Sequence, residues 1–122
     1  MPPNPTGPTN IKLKMLARFL RKAARANEAP LWSYIAELLE RPARGRAEVN
    51  LSRVNMIADD GDVIVIPGKL LGSGKLNKKI VVAVAGASKS AVEAVLKSGG
   101  EVISIAELVR RNPKGSGVKI VV

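Results

Sequence analysis

Glycines and lysines are concentrated in the segment IPGKLLGSGKLNKK, which spans residues 66–79. Glycine lets a backbone approach a ligand closely and lysine supplies positive charge, so together they suit an anion such as phosphate. Three kinds of site fit this composition: the P-loop of a nucleotide hydrolase, a dinucleotide fingerprint, and a basic loop that contacts a nucleic-acid backbone. Residue spacing and the neighbouring segments decide among them.

The spacing argues against both nucleotide-binding motifs. A P-loop has four residues between its two glycines and a Ser or Thr after its lysine. Here five residues separate Gly68 from Gly74, and Leu76 replaces the residue that should carry a hydroxyl. A dinucleotide fingerprint that used Gly72 and Gly74 would need a third glycine at the position of Asn77.

The element that follows the segment gives a stronger objection. Both nucleotide motifs lead from a strand into a helix whose N-terminus binds the phosphate. The apolar, β-branched run KIVVAVAG at 79–86 predicts a strand instead. Two interpretations remain. The segment is either a long flexible connection that contacts sugar and phosphate without reading bases, or a basic loop in solvent. The proposed contacts in it are Lys69, Lys75, Lys78 and Lys79.

Composition favours a polyanionic partner over catalysis. The chain has 122 residues, 46% apolar content and a formal net charge of +10, which suit one globular domain that binds nucleic acid. It contains no Cys and no His, which supply most zinc sites, thiolate nucleophiles and general bases near neutral pH. No apolar run reaches the roughly 18 residues of a membrane span. We expect a cytoplasmic protein that catalyses no reaction. It should bind no metal, cofactor or small-molecule substrate, and it should not associate with a membrane.

A basic amphipathic helix is predicted from Asn10 to Arg25, after a flexible Pro-rich arm at residues 1–9. Its expected buried face consists of Met15, Leu16, Phe19, Leu20 and Ala23. The stretch also holds six basic residues and no acid, so the cations repel one another unless a polyanion lies beside them. An ordinary solvated face is the alternative. The predicted contacts are Lys12, Lys14, Arg18, Arg21, Lys22 and Arg25. The sequence leaves open whether this helix lies outside the α/β unit and crosses the partner.

Short segments then alternate between helix and strand. A second helix is predicted over PLWSYIAELLER (30–41), with a core stripe that includes Trp32. The loop RPARGR follows, and its Arg41, Arg44 and Arg46 reach into a groove or lie in solvent. After an extended piece at 48–50 comes a short helix capped by Ser52.

The carboxyl-terminal half continues this alternation. DDGD (59–62) lacks the spacing of a calcium loop and is interpreted as a turn into the strand VIVIP (63–67). Two later helices have Ser-x-x-Glu capping spacing, at Ser90 and Glu93 and at Ser104 and Glu107. EVIS (101–104) and GVKIVV (117–122) are predicted strands, and the turn NPKGSG before the last one presents Lys114. The pattern predicts one small α/β domain over residues 10–122.

Aromatic residues are too few for base stacking, because the chain has one Trp, one Tyr and one Phe. Binding is therefore expected to follow backbone and shape, as with structured RNA. Composition alone leaves a DNA-binding, chromatin-type protein open.

Five segments resemble the family of ribosomal protein eighteen-e of the large subunit, the archaeal and eukaryotic relative of bacterial ribosomal protein fifteen. They are VNLSR (49–53), DGDVIVIPGKLLGSGKL (60–76), SKSA (88–91), GGEVISIAEL (99–108) and NPKGSGVKIV (112–121). The resemblance implies a small, irregular α/β superhelix of strands and helices. It also implies a structural role in translation, binding ribosomal RNA and contacting neighbouring large-subunit proteins in the cytoplasmic ribosome.

The resemblance also implies RNA contacts from Lys69, Lys75, Lys78, Lys114 and the basic amino-terminal helix. Two further predicted contacts, Arg53 and Lys89, lie within the matched segments VNLSR and SKSA. The short length and the lack of a basic carboxyl-terminal extension resemble the archaeal branch.

Overall fold

A computed structural model describes residues 11–41 and 47–122 and confirms the predicted alternation of helices and strands. The helices are α1 (Ile11–Asn27), α2 (Pro30–Leu39), α3 (Leu51–Ile57), α4 (Lys89–Lys97) and α5 (Ile105–Arg111). The strands are β1 (Ala47–Asn50), β2 (Val63–Leu71), β3 (Val81–Ala87), β4 (Glu101–Ser104) and β5 (Val118–Ile120). The predicted arm at residues 1–9 lies outside the described residues.

The five strands form one parallel sheet with β2 at its centre. On one side of β2 lie β3 and then β4. On the other side, β5 pairs with Val63–Val65 and β1 with Gly68–Leu71, so two short strands share one edge of β2. A register shift between Ile66 and Lys69 separates these two halves.

Helices cover both faces of the sheet, as is usual for parallel strands. Along β2, Val63 and Val65 face the core formed with α1, α2 and α5. Ile64 and Ile66 face the second core, formed with α3 and α4. Alternate residues thus point to opposite faces, and both sets are apolar because both faces are buried. This explains the continuous apolar character of the predicted strands.

The first helix belongs to the core, which answers the question, left open by the sequence, of whether it lies outside the α/β unit. It packs on α2 and buries Ala17, Leu20 and two further alanines. The buried face is also rotated from the predicted one, because Met15 and Phe19 are 64% and 37% exposed. Alanines, which the apolar pattern underweights, allow close approach of the two helices.

The structure differs from the sequence prediction at several strand boundaries and helix caps. The central strand continues to Leu71, so Lys69 lies in a strand and not in a loop. The N-cap of α4 is Ser88, whose hydroxyl accepts from the Ala91 amide, and not Ser90. Asn50 precedes α3 without a side-chain cap, in place of the predicted Ser52. The Ser104 cap is confirmed, because its hydroxyl accepts from the Glu107 amide.

The connection between β2 and β3 contains no helix, as predicted, but it is not a free loop. It runs back along the sheet over residues 72–80, because β2 and β3 are parallel. Its path follows α3: the Ser52 amide donates to the Ser73 carbonyl, and the Asn77 amide donates to the Asn55 side chain. Leu76 packs against the second core. We call residues 72–80 the crossover.

Candidate nucleic-acid interface

Four cations of α1 form an exposed strip: Lys14, Arg18, Lys22 and Arg25. The opposite face of α1 is buried against α2 and the sheet, which turns these side chains to solvent. Within residues 11–41 and 47–122, no carboxylate forms an ion pair with any of them. We call these four residues the α1 strip.

Arg21, a fifth predicted contact on α1, is occupied by a partner within the chain. Its Nη1 donates to Glu40 Oε2 at 2.9 Å, and its Nη2 donates to the other carboxylate oxygen. This hydrogen bond from Arg21 holds the pKa of Glu40 below its ordinary value, although desolvation opposes the shift. Arg21 therefore fixes α1 to the end of α2, and its charge is partly neutralised.

The lysines of the glycine-rich segment are dispersed, not gathered. Lys69 is exposed on β2, where its strand partner in β1 is Glu48. Lys75 is exposed at the start of the crossover, beside the carboxyl ends of the strands. Lys79 lies at the opposite end of the sheet, and its amide donates to Asp60 Oδ1. The segment thus distributes its charge along the height of the sheet.

Lys78 is committed to the fold. Its half-buried ammonium donates to the carbonyls of Asn55 at 2.5 Å and Ala58 at 2.6 Å. These carbonyls lie at the C-terminal end of α3, where a helix lacks internal donors and attracts cations. This residue completes α3, and an RNA contact would require these bonds to break.

Three further predicted contacts lie on separate loops or helices. Lys89 is exposed at the first residue of α4, and Arg41 is exposed after α2. Arg53 is exposed on α3, where its Nε donates to an oxygen of Val122 at 2.8 Å. Two predicted contacts, Arg44 and Arg46, lie outside the described residues, and so does the side chain of Lys12.

Lys114 is presented by a turn that is fixed to the core. The indole Nε1 of Trp32 donates to the Pro113 carbonyl at 2.7 Å. A Cβ on Gly115, which has φ +70, would lie 2.6 Å from Leu31 Cδ2, so the turn closes directly on α2. Trp32 is fully buried, as the core stripe predicts. Its role in holding this turn does not follow from the sequence, because the contact joins residues far apart in the chain.

Most ion pairs involve cations that are not among the predicted contacts. Arg111 bridges Glu101 and Glu107, and the hydrogen bond from Arg111 lowers the pKa of Glu101. Lys119 donates to Asp62 at 2.7 Å and lowers the pKa of that carboxyl. Because these carboxylates are held by cations, they do not neutralise the α1 strip.

The described residues contain neither a cluster of metal-ligating side chains nor a helix of membrane length. No group of three or more acidic side chains there is placed to hold a metal ion. None of the described helices is long and apolar enough to cross a membrane. A surface depression of about 200 Å³ beside Gly61 and Gly100 is lined mainly by apolar atoms.

Comparison with known proteins identifies the family. A family model that describes ribosomal proteins 50S-L15 and 50S-L18e, together with their 60S counterpart, matches residues 27–103. The chain belongs to this family.

Curated relatives resemble the chain over almost their whole length. A protein of Pyrobaculum aerophilum named large ribosomal subunit protein eL18 is 59% identical over 122 residues, which are 100% of both chains. Proteins of the same name from Methanoregula boonei and Methanopyrus kandleri are 44% and 41% identical. The first alignment covers 92% of this chain and 93% of the relative, and the second covers 96% of each. The family resemblance predicted from five short segments is confirmed, and so is the predicted resemblance to the archaeal branch.

The region matched by the family model covers only the middle of the fold. It begins at Asn27, the last residue of α1, and ends within β4, so it includes α2, α3 and α4 and the strands β1 to β3. The α1 strip therefore lies outside the family model, whereas the full-length relatives extend over it. The family model covers the crossover, and the match to the Pyrobaculum aerophilum protein extends over α1.

Proposed function

We propose that this protein is a structural constituent of the large ribosomal subunit that binds ribosomal RNA and acts without catalysis. Relatives that match 92% or more of the chain are named large ribosomal subunit proteins, which supports placement in the cytoplasmic ribosome. Its partners would be ribosomal RNA and neighbouring large-subunit proteins, and its role would be to support subunit assembly and translation.

The observation that carries RNA binding is the α1 strip. Four exposed cations stand on one helix that contains no acidic residue, and none of them has a carboxylate partner in the described chain. Like charges at this spacing repel one another, and neighbouring phosphates remove that repulsion. Lys69, Lys75, Lys79, Lys89 and Lys114 would add contacts from other surfaces, since each is exposed.

The role of each side chain follows from its surroundings. A cation that contacts phosphate fixes position and supplies affinity without selecting bases. The turn that carries Lys114 is held by Trp32, so that lysine is presented without a large ordering cost. Arg21 and Lys78 contribute mainly to stability, because their donors already bind Glu40 and the end of α3.

Salt dependence of RNA binding tests this proposal with a matched control. The variant Arg18→Ala/Lys22→Ala removes two charges from the α1 strip, and Lys97→Ala/Arg110→Ala removes two exposed charges from α4 and α5. If both strip residues contact phosphate, the slope of log affinity against log salt should fall by about 1.4–1.8 for the first variant. The control should keep the parent slope.

Sedimentation provides the second readout. The native protein should travel with large subunits in a gradient at moderate salt, and the strip variant should dissociate at lower salt. Equal slopes for the two variants would refute the role of α1. Failure of the native protein to sediment with subunits would refute the ribosomal assignment itself.

A further inference from the structure

The turn between α5 and β5 is held by contacts on several sides. Trp32 Nε1 donates to the Pro113 carbonyl at 2.7 Å, and Asn112 Nδ2 donates to the Ser116 carbonyl at 2.9 Å. The Gly115 amide donates to the Asn112 carbonyl at 3.0 Å, and the same glycine lies directly against α2. We call residues 112–117 the α5–β5 turn. Its backbone is tied both to itself and to the core.

One cation stands in the middle of this turn. Lys114 is the only ionisable residue of the turn, and its side chain is exposed. None of the ion pairs within residues 11–41 and 47–122 includes it. The contacts that hold the turn use the backbone on either side of Lys114 and leave its ammonium to a partner. A charge on a loop that a rigid scaffold positions is typical of a binding site.

The α5–β5 turn adjoins the α1 strip. Lys22 of the strip and Pro113 of the turn line the same depression between α1 and α5. No acidic side chain is among the described residues that line it. Lys22 and Lys114 thus stand on two elements that meet at one depression, and each lacks a carboxylate partner in the described chain. One polyanion can therefore contact both elements.

We propose that Trp32 is a positioning residue for RNA binding: its indole N–H holds Lys114 beside the α1 strip, so that one segment of RNA contacts both. Asn112 has the same role through the Ser116 carbonyl. The inference rests on the proposed ribosomal function. A mobile turn would lose conformational freedom on contact with phosphate, and that cost would weaken binding. A turn that is fixed before RNA arrives avoids it.

A purely structural role for Trp32 is the alternative. A buried indole N–H needs an acceptor, and the Pro113 carbonyl supplies one. The bond from Asn112 to Ser116 cannot be explained in that way, because it is exposed and satisfies no buried group. Two independent hydrogen bonds thus fix the backbone on either side of Lys114, and only one of them serves the core.

A double-mutant cycle on RNA affinity tests the proposal. Trp32 is replaced by benzothienylalanine, whose sulfur takes the place of the indole N–H, so the core stays filled. Affinity for large-subunit ribosomal RNA should fall about three- to tenfold in the parent and less than about twofold in a Lys114→Ala background. Asn112→Ala should behave in the same way. The control Ser98→Ala removes a hydrogen bond to the Val95 carbonyl in α4 and should stay within about twofold of the parent.

The cycle separates positioning from stability. An equal fold loss in both backgrounds would show that Trp32 does not act through Lys114, and no loss in either would show that its N–H does not matter for binding. Both results would refute the inference. If Lys114→Ala bound like the parent, the inference would also fail, although the α1 strip would still carry the proposed function. If the parent bound no ribosomal RNA, the proposed function itself would fail.

Directed cleavage in assembled large subunits tests whether one RNA segment contacts both elements. The chain has no Cys, so single cysteines can carry an iron chelate that cleaves nearby RNA. Ala26→Cys and Ser116→Cys place the chelate beside the strip and in the turn, at exposed positions that keep Lys22 and Lys114. These two probes should cleave shared nucleotides, whereas Lys97→Cys, on the opposite face of the sheet, should not cleave them. Separate nucleotides for the first two probes, no cleavage from the turn, or the same nucleotides from all three would overturn the inference.

Discussion

The α1 strip and the crossover are both rich in cations in the sequence, but the fold uses them differently. All four cations of the strip are exposed on one helix, and none forms an ion pair within the described chain. In the crossover, Lys75 and Lys79 are exposed at opposite ends of the sheet, and Lys78 is bound to two carbonyls. Cation density along a sequence therefore does not measure the charge available to a partner.

The difference has a physical cause in the backbone of each region. Within α1 the carbonyls bond to amides of the same helix, so its cations find no local acceptors. The crossover lies against α3, whose last carbonyls have no amide partners. A lysine placed there satisfies them, and Lys78 does so. A basic segment beside a helix C-terminus thus loses charge to the fold, and a basic helix keeps it.

Glycine replacement in the crossover should have the largest effect on stability. Gly74 has φ +97, and a Cβ there would lie 2.6 Å from Ser52 Cβ and 2.7 Å from its amide nitrogen. Gly74→Val should therefore lower the free energy of unfolding by about 2–4 kcal/mol, measured by denaturant titration. Gly86→Ala is the control, because no atom lies within 4 Å of its added Cβ, and it should change stability by less than about 0.5 kcal/mol.

A loss of stability in Gly74→Val but not in Gly86→Ala would show that the crossover is fixed in one conformation. If Gly74→Val were as stable as Gly86→Ala, residues 72–80 would be a loop free to adapt, and the contrast with α1 would disappear.

A pair of lysine variants compares fold and binding within the crossover. Lys78→Met removes two hydrogen bonds at the end of α3 and should cost about 1–2 kcal/mol in the free energy of unfolding. Lys75→Met removes an exposed side chain and should leave stability unchanged. For RNA affinity the order should reverse: Lys75→Met should reduce the salt slope by about 0.7–0.9, and Lys78→Met by much less.

Denaturant titration and filter binding of both variants would test whether the order for stability is the reverse of the order for RNA affinity. An equal loss of salt slope for the two variants would show that Lys78 leaves α3 to contact RNA. In that case the crossover would offer as much charge as its sequence contains.

Sequence patterns predicted the elements well where a local rule determined them. The apolar runs of β2 and β3 are buried on both faces, and Ser104 caps α5 through a short-range contact. Rejection of a P-loop also followed from local facts, since Leu76 occupies the position of the required hydroxyl and the apolar run after it predicts a strand. The structure confirms that strand as β3.

The failures required information from distant parts of the chain. The orientation of α1 depends on α2 and the sheet, so the assignment of Met15 and Phe19 to the core is wrong. Arg21 and Glu40 are 19 residues apart, and no sequence spacing joins them. By contrast, Glu107 and Arg111 stand four apart in one helix, where an ion pair is expected from sequence.

Dependence on pH gives the smallest expected effect near neutrality. The chain has no His, so neither stability nor RNA affinity should change between about pH 6 and 8. The hydrogen bonds from Arg21, Lys119 and Arg111 lower the pKa values of Glu40, Asp62 and Glu101 respectively. A carboxyl with a lowered folded pKa stabilises the fold above its unfolded value, about 4, and this contribution is lost as pH falls through the folded pKa.

Thermal unfolding should therefore give a constant Tm from about pH 8 to 6 and a falling Tm below about pH 4. Glu40→Gln should show a smaller fall over the acidic range, because one of the three linked carboxyls is absent. The same variant frees Arg21 and should bind RNA slightly more tightly at about pH 7. If its affinity were unchanged, Arg21 would be directed away from RNA even when unpaired, and the available charge on α1 would be limited to the α1 strip.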